Sequence, residues 1–564
     1  MRVTNSMIMN NSKTDINTTK LDVNSTSHQM QTQKKISRPS EDPVIAIRSL
    51  RYATSLNHMD QYLNKNIEDA DSWLDLTETA LTNMYKSLET MHTLADQGAN
   101  GTNTASDLNT ILSSLESLKD SIYSEGNADY AGRSIFTSYR TNCKLTFQND
   151  EADTEYQITE PFNYTDMAVA RYYNGSITIP QTKEGTGGTG GVDQIEAEIA
   201  NYETNDDALF NRFRLAYKKA PSNDAAMTPE NLHFTFEDKS ELNISFTKSN
   251  PPAATDNWFE TLEDWEKANT PDGKKIDGEQ AIFIEQTGEV ILSDDLAKKV
   301  LSEHATVEAT YTKKGFSDGE LRPEYYFDCT VNPNENPESK YKKTFYEKFE
   351  KTDKLDASGN PVLDASGNPV RVIKREVGTN KPVAIEYDIN FIVANNQTLT
   401  VNAEASEVFD MAIGRDIDEM IDAVTWALGC GDKISKIESM MGEAQYADEI
   451  SQKNLGMLLD KAKKEETYAR DHLKKLYEEE LTKTNNYLTE VNLAITEVGN
   501  KGESLALTKT RVSSQMETIE ELKSNNENED LSSIMLNYSA AYVAYQAALT
   551  AASKIGEQSL LNYI

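Results

Sequence analysis

The chain has little cysteine, little histidine and no long apolar run. Its 564 residues include 3 Cys and 6 His. Cys143, Cys329 and Cys430 are odd in number and far apart, which excludes a disulfide framework and a thiolate metal knuckle. His28, His58, His92, His233, His304 and His472 show no paired ligand spacing, and none sits in a nucleophile motif. No apolar stretch approaches the roughly 20 residues that a membrane-spanning helix needs. The start, Met1-Arg-Val-Thr-Asn-Ser-Met, lacks the apolar core and small-residue cleavage site of a secretory signal, so a soluble, uncleaved chain is expected. Basic residues are also short: 56 Lys and Arg face 92 Asp and Glu, for a net charge of -36. Such a surface repels phosphates and anionic headgroups, so neither nucleic acid nor a membrane is an expected partner.

What the chain does have is a pair of apolar helical stripes, one near each end. Leu56, Leu63, Ala70, Thr77, Met84 and Met91 recur in seven-residue steps, with Ile67, Leu74, Leu81, Leu88 and Ala95 four places on. Pro43 opens this helix, and Gly98 and Gly101 end it. A second helix carries Leu108, Leu112, Leu115, Leu118 and Ile122. Toward the other terminus, helix is expected from Val408 through Trp426. After Gly429-Cys-Gly a long helix follows, with Tyr477, Val491, Val498, Leu505, Val512 and Ile519 in register and local interruptions at Gly499 and Gly502. The last stripe joins Leu531, Tyr538, Tyr545 and Ala552 to Ile534, Ala541, Ala548 and Ile555.

Between the ends the period changes from helical to alternating. Strands are expected at Lys144 to Phe147, Ser176 to Ile179, His233 to Phe236, Leu242 to Phe246, Tyr325 to Cys329, Val370 to Ile373 and Ile385 to Val401. A hairpin around Gly288 is expected within Ala281 to Leu292. This reads as an antiparallel insert at 146–404, and more than half of the acidic excess lies in it. Its connections, near Leu145 and Ala403, suggest an insert that a short linker could replace.

Two motifs invite sharper readings. Gly185-Thr-Gly-Gly-Thr-Gly190 fits a dinucleotide fingerprint in form, but Lys183 and Glu184 separate it from any strand and the surrounding pattern is antiparallel, so it reads as a loop. Leu355-Asp-Ala-Ser-Gly-Asn-Pro-Val repeats at once from Leu363, placing Asp356, Ser358, Asn360, Asp364, Ser366 and Asn368 on oxygen-rich turns. One carboxylate per copy is too few for calcium, so a duplicated turn is expected. No catalytic, cofactor or metal site is assigned, and the chain does not read as an enzyme.

Met1-Arg-Val-Thr-Asn-Ser-Met, Arg38-Pro-Ser-Glu-Asp-Pro43, Gly132-Arg-Ser-Ile-Phe136, Asn402-Ala-Glu-Ala-Ser-Glu-Val-Phe409 and Gly556-Glu-Gln-Ser-Leu-Leu-Asn-Tyr-Ile564 stand in order at the two ends. Together they resemble the flagellin superfamily, and within it the hook-filament junction branch of hook-associated proteins. The resemblance covers roughly the first 145 and last 160 residues. It implies a secreted structural protein of the bacterial flagellum, exported by the type III apparatus and held beforehand by a cytoplasmic export chaperone. Its implied partners are further copies of itself in a homo-oligomer, a neighbouring hook-associated junction protein and filament flagellin. Filament flagellin itself is the nearest alternative, and an adhesin or enzyme carried by the insert is a more distant one.

The expected fold is α+β: elongated terminal coiled-coil helical domains with a β-rich inserted domain. Residues 1–45 and 525–564 would form an inner assembly domain, 46–145 and 405–524 a helical bundle, and 146–404 the outer insert. The bundle core is assigned to Leu63, Ile67, Leu74, Leu81, Leu88, Val491, Val498, Leu505, Val512 and Ile519. Residues 1–50 are too poor in apolar positions to fold alone, and the last helix is nearly free of charge. The assembly interface is therefore placed at Val3, Met7, Ile16, Val23 and Met30, and at Leu531, Ile534, Tyr538, Ala541, Tyr545, Ala548, Ala552, Ile555 and Leu560.

Overall fold

The computed structural model describes residues 5–173, 176–179, 207–221, 224–253, 255–268, 276, 278–355, 360–363 and 366–557. The glycine-rich motif at Gly185, Val3, Leu560, Asp356, Ser358 and Asp364 lie outside them. The chain divides into two compact units, one of residues 1–72, 390–400 and 501–564, the other of residues 73–389 and 401–500.

Four helices open the chain: α1 (Asn5–Thr32), α2 (Pro43–Gln61), α3 (Ile67–Gly98) and α4 (Ala105–Ser121). Pro43 does begin α2, and the Asp42 carboxylate accepts the N–H groups of Val44 and Ile45 at 2.8 and 3.2 Å. A π-helical turn, Tyr62–Asn66, separates α2 from α3, so the stripe is not one unbroken α-helix. Gly98 is the last residue of α3, and no side chain fits there: an added Cβ would lie 2.0 Å from the Tyr477 ring. Thr104 and Asp107 cap α4 reciprocally.

The β-rich region begins with a tight hairpin, β1 (Asp129–Tyr130) and β2 (Arg133–Ser134), whose turn residues Ala131 and Gly132 both have positive φ. There follow β3 (Glu151–Asn163), β4 (Ala168–Tyr173), β5 (Asp207–Arg214), β6 (Ala226–Thr235), β7 (Glu241–Ser245) and β8 (Trp258–Phe259). After the short helix α5 (Leu262–Ala268) come β9 (Ala281–Ile284), β10 (Glu289–Leu292), helix α6 (Asp294–Ser302) and β11 (Thr306–Phe316). The chain continues through β12 (Asp328–Val331), β13 (Thr344–Tyr346), β14 (Lys351–Asp353), β15 (Arg371–Ile373) and a hairpin of β16 (Asn390–Ala394) and β17 (Gln397–Thr400).

One sheet runs β13-β12-β3-β11-β6-β7 and another β4-β5-β10-β9-β8. Both contribute to a single apolar core, in which Tyr156, Ile158, Phe234 and Val307 join Phe213, Phe283 and Val290. Phe210, Phe259, Trp265 and Ile291 form a second cluster on the opposite face of the five-stranded sheet. The insert is not wholly antiparallel, since β8 pairs parallel with β9. Lys144 to Phe147 forms an isolated bridge at Thr146, not a strand. Ser176 to Ile179 is also irregular, and Ile177 is buried beside Ile437, Met440 and Tyr446.

The two longest strands are ones the pattern does not flag. On β3, Thr154, Tyr156, Ile158, Glu160 and Phe162 face inward; on β11, Val307, Ala309, Tyr311 and Lys313 do. A charged residue in each buried row masks the alternation. Glu160 accepts the Ala216 N–H and the Tyr311 hydroxyl, the latter at 3.1 Å, and burial pushes its carboxyl up to about 7. Lys313 donates to the Lys218 carbonyl at 2.8 Å and meets Glu320 at 3.1 Å.

Helix returns with one turn, α7 (Ala405–Val408), and then α8 (Met411–Met441), α9 (Glu449–Glu527) and α10 (Leu531–Glu557). Gly429 and Gly431 do not end α8, and Gly499 and Gly502 do not interrupt α9. Each glycine weakens a helix by about 1 kcal/mol. Burial of Cys430, Val498 and Leu505 beside them outweighs that cost. In the bundle core Ile67, Leu74, Leu81, Leu88, Val491, Val498, Leu505 and Val512 are buried; Leu63 and Ile519 are half-buried.

The described residues of the duplicated Leu-Asp-Ala-Ser-Gly-Asn-Pro-Val segment make one bridge in each copy. Leu355 bridges Pro361 and Leu363 bridges Pro369, each antiparallel.

Candidate assembly surface

Residues 5–32 form one helix in spite of their composition. Its Thr side chains return hydrogen bonds to carbonyls four residues earlier, as Thr14 does to Asn10 and Thr18 to Thr14, both at 2.9 Å. Such a sequence is a weak helix former and needs a packing partner. That partner is α10, which lies along α1. Lys34 bridges Asn528, the Lys35 N–H donates to the Glu527 carbonyl at 2.7 Å, and the Glu529 N–H donates to Gln33 at 3.1 Å. The end of α1 thus lies beside the start of α10, and the two helices run antiparallel.

The heptad residues of the two helices turn toward this pairing. Ile534 is buried; Tyr538, Ala541, Tyr545, Ala548, Ala552 and Ile555 are half-buried, as are Ile16, Val23 and Met30 on α1. Leu531 and Met7 are exposed. A second apolar row, outside the heptad, is open to solvent: Met535, Leu536, Tyr542, Val543 and Leu549 on α10, with Leu21 on α1. Leu536 is 72 % and Val543 63 % exposed. Only one full charge, Lys554, lies on α10 before its last residue. An apolar face of this kind on a helix already paired on its other side is unfinished packing. Sequence reasoning passed over this row because α10 is apolar around most of its circumference, and periodicity alone does not say which stripe meets α1.

A polar knot ties the linkers below this pair. The Glu527 carboxylate accepts from Ser49 and, at 3.0 Å, from Lys34. Asn526 donates to the Ile45 carbonyl at 3.0 Å and Lys35 to that of Asn525 at 2.6 Å.

A different cluster lies in the other unit, where α8 and α9 meet β5. Arg214 contacts Asp416 at 2.6 Å and Glu419 at 3.2 Å; Arg212 contacts Glu419 at 2.7 Å and also pairs with Glu289. Lys483 reaches Asp416 at 3.1 Å and Glu480 at 2.7 Å, and the Tyr487 hydroxyl donates to Asp416 at 2.7 Å. Burial raises the Glu419 carboxyl, but Arg214 and Arg212 outweigh it and hold the group at about 2. Burial, reinforced by Asp416, pushes Glu480 up to about 7. Asp416, Glu419 and Glu480 bring three carboxylates within 4.8 Å of one another. Each already faces an Arg or Lys, so the group is an ion-pair network, not a vacant cation site. These residues are scattered in sequence, and no spacing announces them.

The same network shows that the insert and the helices are not independent. Lys218 also pairs with Asp418 at 2.6 Å, Arg171 with Asp471 at 3.0 Å, and Ser176 with Glu465 at 3.0 Å. Replacement by a short linker would take a partner from each of these carboxylates and leave Asp418 to Lys119, Asp471 to Lys475 and Glu465 to Lys433.

Comparison with known proteins bears on the N-terminal part of the chain. The bacterial flagellin N-terminal helical region matches residues 3–141. No curated protein sequence matches the chain. Among solved structures, flagellar hook-associated protein-3 from Legionella pneumophila is similar at a TM-score of 0.28 and 10 % identity, over 84 % of this chain and 96 % of that one. FlgL from Xanthomonas campestris gives 0.23 and 9 %, over 83 % and 99 %. The junction protein FlgL from Legionella pneumophila gives 0.27 and 9 %, over 85 % and 99 %. Over residues 3–141 the chain is similar to the bacterial flagellin N-terminal helical region.

Proposed function

We propose that this chain is a structural protein of the bacterial flagellum, secreted and built in at the hook-filament junction, where copies assemble through their terminal helices. The observation that carries the reading is the open apolar row on α10, paired on its other side with the flagellin-like N-terminal helix. Full burial of an apolar side chain is worth roughly 1.5 to 3 kcal/mol, so covering what remains exposed of these five between copies supplies about half that each. Its partners on this reading are further copies, a neighbouring hook-associated protein, filament flagellin and, before export, a cytoplasmic chaperone. Pro39-Ser-Glu-Asp-Pro43 favours the junction over the filament, because filament flagellins usually show an Ala-Asp-Asp-Ala-Ala-Gly block there. The 146–404 region then decorates the surface and carries no catalysis.

Polymerisation of purified protein on hook seeds tests this. A junction protein stops at a thin layer; growth into long filaments would favour filament flagellin instead. Removing Leu531 to Ile564 should leave a folded, helical, soluble chain that no longer incorporates, and incorporation of that chain would overturn the interface.

A further inference from the structure

A cleft of about 1210 Å³ lies among α8, α9, β4 and the turn of the β9-β10 hairpin. Arg415, Glu419, Asp422 and Trp426 line it from one face of α8, since their spacing of four, three and four residues keeps them on one side of the helix. Nearly every cation in the wall has a carboxylate at hand. Arg171 and Lys475 share Asp471, Arg212 meets Glu289 and Glu419, and Lys218 meets Asp418. Lys219 meets Glu260 and Glu285, and Lys483 meets Asp416 and Glu480.

Arg415 is different. Among the described cations that line the cleft, it alone has no carboxylate within 4.0 Å. It is 9 % exposed, and one terminal amino group donates to the Thr287 carbonyl. Its buried Nε–H has no hydrogen-bond partner. Burial lowers the pKa to about 10, which leaves the group charged at neutral pH. Glu419 and Asp418 act on it through space without touching it, so a buried cation is left with an unused donor and no carboxylate in contact, and a planar guanidinium is shaped for an oxyanion. We propose that Arg415 forms the floor of an oxyanion-binding site that takes the carboxylate or phosphate group of a small ligand lodged in this cleft.

Free phosphate and the carboxylate of an acidic sugar would both satisfy this chemistry. Calorimetric titration of the full chain with sodium phosphate and with glucuronate, each at matched ionic strength, separates them. Saturable binding of one ligand and not the other identifies the source. The expected result is one site per chain, weakened at least tenfold in Arg415→Met and less in Arg415→Lys. Should Arg415→Met fail to fold, hydrogen exchange on the unsubstituted chain decides: ligand should slow residues 286–289 and 411–419 and leave the terminal helices unchanged. No saturable binding of either ligand, undiminished binding in Arg415→Met, or no local slowing would overturn the proposal.

Discussion

The rings of Phe136 and Phe409 meet edge to face, with centroids 4.9 Å apart and planes 76° apart. Both are buried, and the Phe136 carbonyl accepts the Ala405 N–H at 3.0 Å. The Gly132 to Phe136 turn and the Asn402 to Phe409 segment therefore form one joint, at the place where the chain enters and leaves its β-rich region. Phe409→Ala should cost about 3 to 5 kcal/mol, because the rigid turn on the other side cannot collapse into the cavity. Urea unfolding followed by circular dichroism would measure it, and a loss below about 1 kcal/mol would deny the joint this role.

Gly98 sits against the Tyr477 ring, and that ring is fixed because its hydroxyl donates to the Met420 carbonyl at 3.0 Å. Gly98→Ala is expected to destabilise by about 1 to 3 kcal/mol through overpacking. Gly101→Ala, where an added Cβ meets nothing within 4 Å, serves as the control and should be near neutral. Equal effects at the two positions would contradict the packing seen here.

Glu160 carries a pH dependence of definite sign. Burial raises its folded pKa to about 7, from 4.5 when exposed, so the folded chain binds more protons than the unfolded one between those values. Its favourable contribution is complete below about 4.5 and is lost as pH rises through about 7. Glu480 acts in the same direction. Glu160→Gln should remove a pH-dependent difference on the order of 3 kcal/mol between pH 5 and 8. Urea midpoints of the two chains across that range should converge at low pH and separate at high pH in favour of the variant.

Arg214 and Asp416 join β5 to α8, and Asp416 is fully buried. Arg214→Met leaves that carboxylate short of its main counter-ion and should cost about 3 to 5 kcal/mol. Replacing 150–400 with a Gly-Ser linker should likewise destabilise the remaining helices. A linker chain that melts at the same temperature as the parent would show the helices to be self-sufficient.

The two rows on α10 predict opposite phenotypes. Leu536→Asp and Val543→Asp lie on the exposed row and should leave stability within about 0.5 kcal/mol while blocking incorporation into flagella. Ile534→Asp, at a buried position, should melt the α1-α10 pair and reduce its helical signal. Electron microscopy and circular dichroism of purified chains separate the two effects.

How much of this was legible beforehand differs by element. Long helices were readable because Leu74, Leu81 and Leu88, and Val491, Val498 and Leu505, repeat at a helical period, and that period survives whatever packs on it. The β9-β10 hairpin was readable too, since Gly288 supplies the positive φ its turn requires. Strands β3 and β11 were not, because Glu160 and Lys313 occupy inward positions and only neighbours distant in sequence make that burial tolerable.

The sequence by itself determined the helical periods, the caps at Asp42 and Thr104, the turn glycines and the acidic charge, because each depends on residues a few positions apart. Tertiary structure decided which apolar stripe of α10 meets α1 and which stays open, and why Gly429 and Gly499 do not break their helices. It also decided that Arg212, Arg214, Asp416, Glu419 and Glu480 converge. Those outcomes turn on burial and on long-range pairing, and an isolated stretch of sequence carries neither.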